Sequence, residues 1–449
     1  MRFRTSRHTA VEAYRRALEL VPSFPNAYGT AAILRLEQIL IATPNGYIAG
    51  FQLEADTVAY AALPGLIADS LAAVPWPIER FMRGGPQVTP ASYQAALQRS
   101  RGILLRLTER WAREAPANLR AQEAFALALE NVTRLDSVPG VPSALPQVQR
   151  ARALASTRAE TIHLDVISLR LRLKLGRWSD ARALADSILA DADSAATGDQ
   201  LSLESIALLV GRPSVALRLG ARTADRDTLY TPRGAIARPA ALGGPAQALV
   251  AHAITGTSPD SVRLYAERVR EGIRQFVGSQ DAPFFRQLIL EPPLTLAYPD
   301  VGAFPELTSP EATTFMLAEA AHARGDRAAL RAALASIDAG SGNVRPGDEG
   351  PELVHLYAWL QRAAGDTTGA RAFVARYVAS LPASSRELFN APTGAAGLMR
   401  LLMLHAELSW HGGDRAEAQR AAAAVLALWG GADPLLAARL TPLRQYRSP

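Results

Sequence analysis

The chain has 449 residues, a formal net charge of +6 and no cysteine. That length calls for two or three domains or one long solenoid, and the lack of cysteine excludes disulfides, thiolate metal sites and a cysteine nucleophile. All but one of its 48 basic residues are arginine, interleaved with Asp and Glu as in REGIRQ and GDRAEAQR, the look of solvated helix faces and not of a phosphate-binding stripe, so no nucleic-acid partner is expected.

The opening stretch, MRFRTSRHTAVEAYRRA, runs directly into an amphipathic helix and lacks the apolar segment of a signal peptide. No apolar run reaches the length of a membrane span, so a cytoplasmic location is expected. Residues 7–21 read as the second helix of a hairpin whose first helix is not in the sequence. The array is therefore expected to start mid-repeat, as the continuation of a longer protein. A further helix spans 25–43, and Pro and Gly then punctuate short helices up to Pro90. Thr89-Pro90 opens a helix towards Pro116, and another runs from Asn118 to about Arg134. Residues 136–146, DSVPGVPSALP, read as a loop before hairpins resume over 148–221. The run containing Pro232, Pro239 and Gly243-Gly244-Pro245 predicts a boundary. Ser258-Pro259-Asp260 then opens a helix with Val262, Tyr265, Val269, Ile273 and Phe276 on one face. Residues 281–311 are the least regular part and read as a Pro- and aromatic-rich loop, after which Ser309-Pro310-Glu311 restarts the helices. The expected organisation is an N-terminal array over 1–225, an irregular linker region over 226–308 and a C-terminal array over 309–449.

Ala and Leu dominate an apolar content of 49%, which favours helices, and strand signals are scarce. An all-α fold of helical hairpins is expected. A glycine ends an apolar helix at Gly176, Gly211, Gly325, Gly365 and Gly413, where the residue past the helix end takes positive φ. Five residues on stands Ala181, Ala216, Ala370 or Ala418, with Leu330 the exception; a small residue there lets the two helices lie close. Gly176 and Gly211 are 35 residues apart, and Gly325, Gly365 and Gly413 follow one another at 40 and 48 residues. This pattern resembles the tetratricopeptide (TPR) family, whose units repeat near every 34 residues and stack into a solenoid, irregular in places here. Ala10, Tyr14, Ala17 and Pro22 fall at that family's second-helix positions, and Pro382 at its closing position. The family's later Ala is replaced by Ile188, Ile337, Tyr377 or Val425. Leu426, Trp429, Ala432, Asp433 and Pro434 look like the L-W-x-x-A-D-P ending of bacterial TPR arrays attached to serine/threonine kinases or winged-helix regulators.

Motifs that would carry chemistry are sparse. The single lysine, Lys174, sits in LKLGRW and not in a phosphate loop; there is no G-x-S-x-G elbow and no H-E-x-x-H. Gly340-Ser341-Gly342 lacks the third glycine of a dinucleotide fingerprint. His405, Glu407 and His411 are spaced poorly for one metal, and Trp178, Trp359, Trp410 and Trp429 sit where packing is the default role. No cofactor or metal is expected. The one candidate partner or ligand surface is Phe284, Phe285, Arg286, Tyr298, Asp300 and Phe304, around the Pro-rich loop. The resemblance implies a non-enzymatic scaffold for a protein or peptide, the regulatory arm of a bacterial signalling protein. The alternative is a stand-alone small-ligand or peptide sensor with its site near 281–305.

Overall fold

A computed structural model describes residues 116–136, 140–195, 199–224, 229–231, 234–236, 240–256, 258–277, 286–302, 304, 314–340, 350–384 and 391–447, with isolated positions between 102 and 113. The chain divides into two compact units, residues 1–157 and 158–449. The boundaries expected at 225 and 308 both fall inside the second. Expectations for the helices before residue 90 and for Ser309-Pro310-Glu311 lie outside the described residues.

In the first unit, α1 (Leu119–Asn131) and α2 (Ala144–Ala153) pack on each other. Asn118 starts α1 as its sequence position suggests, its side chain accepting from the Ala121 N–H at 3.2 Å. The supposed loop over 136–146 ends early, because Ala144, Leu145 and Val148 bury an apolar stripe that pulls the chain into α2.

Among the described residues, the second unit is helical apart from one small hairpin. Its elements are α3 (Arg158–Lys174), α4 (Trp178–Ala190), α5 (Gln200–Leu209), α6 (Pro213–Ala224), β1 (Leu229–Thr231), β2 (Gly234–Ile236), α7 (Ala240–Thr255) and α8 (Pro259–Val277). There follow a π-helical turn at Arg286–Leu290, α9 (Glu291–Val301), α10 (Thr314–Ala323), α11 (Arg327–Gly340), α12 (Pro351–Ala363), α13 (Thr367–Ser380), α14 (Pro392–His411), α15 (Arg415–Trp429) and α16 (Ala437–Arg447). Strands β1 and β2 pair antiparallel with Leu229 opposite Ile236, a feature that the scarcity of strand signals does not anticipate.

Five tight turns join α3/α4, α5/α6, α10/α11, α12/α13 and α14/α15. Gly176, Gly211, Gly325, Gly365 and Gly413 have φ of 68°, 72°, 70°, 98° and 81°. Each glycine N–H bonds the carbonyl three residues back, and the next N–H reaches the carbonyl five residues back, as Arg177 does to Arg172 and Asp414 to Ser409. That pair of bonds satisfies carbonyls left over at a helix end. In three turns the following residue is Asp326, Asp366 or Asp414, whose carboxylate accepts from the N–H three residues on, at 2.9, 2.8 and 3.1 Å. One Gly-Asp pair thus closes one helix and opens the next. The residues five past each glycine, Ala181, Ala216, Leu330, Ala370 and Ala418, are all buried.

Two irregular stretches are more helical than their prolines suggest. Helix α7 runs through Gly243-Gly244-Pro245, since the following residues 246–254 are largely buried and hold the helix together past the missing N–H. Helix α9 occupies part of the 281–311 stretch. Its Pro292 and Pro293 lie in the first turn, where no intrahelical N–H bond is needed, and Leu294, Leu296, Ala297 and Tyr298 are buried.

Helix α14 organises the unit. Fourteen of its 20 residues are buried, from Gly394 to Ser409, so it must be covered on all sides. It packs against α5, α7, α9, α12, α13, α15 and α16. At Gly397 a Cβ would lie 2.5 Å from the Glu352 backbone nitrogen, so α14 and the start of α12 meet backbone to backbone. The hairpins therefore do not pack only on their neighbours in sequence: α14 touches α5, and α15 touches α4.

Candidate functional site

The C-terminal motif carries the longest-range contacts. Trp429, fully buried, donates its Nε1–H to the Leu209 carbonyl at 3.0 Å. The Asp433 N–H donates to the Gly211 carbonyl at 2.7 Å, and its carboxylate accepts from the Ser214 N–H at 2.9 Å, capping α6 from 219 residues away. Arg182 on α4 donates to the Leu428 carbonyl. A Cβ at Gly211 would stand 2.6 Å from Ala432 Cβ, so the turn accepts the motif only as glycine. The lone lysine ties a second distant pair of segments: buried Lys174 Nζ donates to the Ser384 carbonyl at 2.6 Å.

A cavity of about 270 Å³ opens among the last turn of α9, α12, α14 and α16. Its polar end holds Asp300, His355, Arg400 and Arg439; its apolar end holds Trp359, Met403 and Leu443 among others, with Tyr446 and Glu407 beside them. Asp300 pairs with both Arg400 and Arg439, the latter at 2.7 Å. Arg400, only 4% exposed, also donates Nη2 to the Ala253 carbonyl at the end of α7 at 2.8 Å. Gly256, with φ of 64°, leaves room for Arg439, whose Nη2 would lie 2.2 Å from a Cβ there. Two buried nitrogens of this cluster, Arg400 Nε and His355 Nδ1, have no hydrogen-bond partner among the described residues.

The electrostatics follow from burial and these pairs. Burial pushes the Asp300 carboxyl up, but Arg400 and Arg439 outweigh it and hold the group below its ordinary value. Burial, reinforced by Arg400, drives His355 down to about 3, so it is neutral near pH 7. Glu407 forms an ion pair with Arg362 at 2.7 Å.

A second polar cluster lies behind Trp359. Tyr298 donates its hydroxyl to the Glu319 carbonyl at 2.9 Å, with His322 Nδ1 at 2.8 Å, and Trp359 packs edge-on to both rings. Burial, then the nearby Glu291, pushes the Glu319 carboxyl up to about 8. Glu291 is raised by burial too, against the pull of Arg286. Neither carboxylate lines the cavity.

Neither a protein-family model nor a curated protein matches this chain.

The residues singled out in the sequence separate. Asp300 lines the cavity; Tyr298 and Phe304 are 4% and 5% exposed and pack into the core, with the Arg263 guanidinium 5.5 Å from the Phe304 ring centre. Arg286 is half-buried on the π-helical turn, and Phe284 and Phe285 lie outside the described residues. Sequence reasoning missed Arg400, His355, Arg439 and Tyr446. One signal was present for Arg400: a charge inside LMRLLMLH, a run with no polar face to carry it to solvent. His405 and Glu407 turn to different partners, Glu417 at 2.8 Å and Arg362, while His411 sits exposed in the last turn of α14.

Proposed function

We propose that this chain is a TPR-like helical-hairpin array that acts as a non-enzymatic binding scaffold for a protein or peptide. The observation that carries the reading is the five glycine turns with their repeated bond pattern, each followed by a buried residue at the helix crossing. Such units are built to present a broad surface of repeated helices to a partner. Within this reading, the docked L-W-x-x-A-D-P segment supports a regulatory arm of a bacterial signalling protein. Three helices, α6, α8 and α10, each carry an exposed leucine, Leu217, Leu264 and Leu317, that a partner could cover. The electrostatics of the cavity favour binding over proton transfer: Asp300 is locked between two arginines, and His355 stays neutral far above its pKa.

The test is affinity capture with the full chain followed by titration of the purified partner. A saturable complex weakened at least about tenfold by the combined Leu217→Glu, Leu264→Glu and Leu317→Glu changes supports the reading. Turnover of a small substrate that is lost in Asp300→Asn or His355→Gln would overturn it.

A further inference from the structure

The cavity between α9, α12, α14 and α16 goes beyond the scaffold reading, because protein contacts on hairpin surfaces do not call for a buried guanidinium. We propose that it binds a small organic monocarboxylate with an apolar body, its carboxylate at the Arg400–Arg439 end and its apolar part against Trp359 and Met403.

The argument starts from charge. Asp300 faces two guanidiniums, and Glu407 is already paired with Arg362, so among the described residues three arginines stand against two carboxylates and one positive charge is left over. His355, neutral at pH 7, adds no charge but offers a ring nitrogen. Burying Arg400 at 4% exposure is costly unless its donors are used, and its Nε has no partner among the described residues. His355, equally buried, has an unpartnered Nδ1 beside the same cluster. A guanidinium and a neutral imidazole both suit a carboxylate as hydrogen-bond donors. The excess of a single charge selects a monoanion over a di- or trianion. Size sets the other limit: about 270 Å³ is below the usual range for drug-sized ligands. Away from that end, Trp359, Met403 and Leu443 offer apolar surface for the body of the acid.

The experiment is isothermal titration of the full chain with phenylacetate, phenylacetamide and inorganic phosphate in low-salt buffer. Phenylacetate should bind saturably, one per chain, and the amide, alike in shape but uncharged, at least about tenfold more weakly. Arg439→Gln should lower the affinity for phenylacetate at least about tenfold while leaving the far-UV dichroism unchanged. Met403→Trp, which fills the apolar end and touches no charge, should abolish binding; it decides the matter if Arg439→Gln fails to fold. No saturable binding of phenylacetate to the wild-type chain overturns the proposal. So does equal binding of the amide, tighter binding of phosphate, or full affinity in the folded Arg439→Gln chain.

Discussion

At the scale of single residues, a half-buried carboxyl and a buried histidine pull stability in opposite directions with pH. Glu319 has its pKa raised to about 8 in the fold, so between its unfolded value and about 8 the folded state holds a proton that the unfolded state has lost. Stability then falls as pH rises through that window. His355 has its pKa lowered to about 3, so the unfolded state binds the extra proton, and stability falls as pH drops from about 6.5 towards 3. Each slope reaches at most about 1.4 kcal/mol per pH unit. The melting temperature should therefore peak in the mildly acidic range. Glu319→Gln should raise it by a few degrees at pH 8 and have little effect at pH 4, while His355→Gln should flatten the acid limb. Thermal melts of the three chains from pH 4 to 9 check this, and a Glu319→Gln melt that tracks the wild type at pH 8 would contradict it.

At the scale of elements, the glycine turns separate conformational strain from packing. Gly325 and Gly211 have nearly the same φ, but a Cβ at Gly325 meets none of the described residues within 4 Å, whereas at Gly211 it runs into Ala432 and Trp429. Gly325→Ala should cost about 1 kcal/mol, the ordinary penalty for a Cβ in that region, and Gly211→Ala clearly more, because the C-terminal motif must shift. Denaturant titration of both variants compares them directly. The caps make a second pair. Asp414→Ala and Asp433→Ala should each cost about 1 kcal/mol by orphaning one helix N–H, although one cap is local and the other comes from 219 residues away. The local half of this was legible in the sequence. Glycine, its offset alanine and the flanking apolar runs act over a few residues, so Gly176, Gly211, Gly325, Gly365 and Gly413 mark their turns unaided. The prolines misled for the same reason. Pro292 and Pro293 look like loop residues until the burial of Leu294 and Tyr298 makes their place in a first helical turn worthwhile.

At the scale of the second unit, the helices close around α14, and this was not legible. Periodicity shows which face of a helix is apolar but not which distant helix covers it. Nothing in the stretch around Gly211 indicates that Trp429, Ala432 and Asp433 will rest on it. The cavity depends on the same closure, since Asp300, Arg400, Arg439 and the Ala253 carbonyl come from four helices and become neighbours only when α7, α9, α14 and α16 meet. Asp300 stands out because it lies in an unusual stretch and Arg400 because it interrupts an apolar run, whereas Arg439 is one arginine among many. Leu401→Ala, at a fully buried site of α14, should cost about 3 kcal/mol and lower the stability of the whole unit rather than of one hairpin.

The closure is tested most directly by a distance between α6 and the segment after Asp433. The chain has no cysteine, so Leu217→Cys and Leu435→Cys, both at exposed positions, can carry a pair of spin labels without background. Double electron–electron resonance should give a single narrow distribution at short distance, below about 25 Å, because Asp433 bonds Ser214 one turn before residue 217. An open array, with the C-terminal hairpin several helix-packing steps of about 10 Å from α6, would instead give a distribution centred near 40 Å and contradict the account.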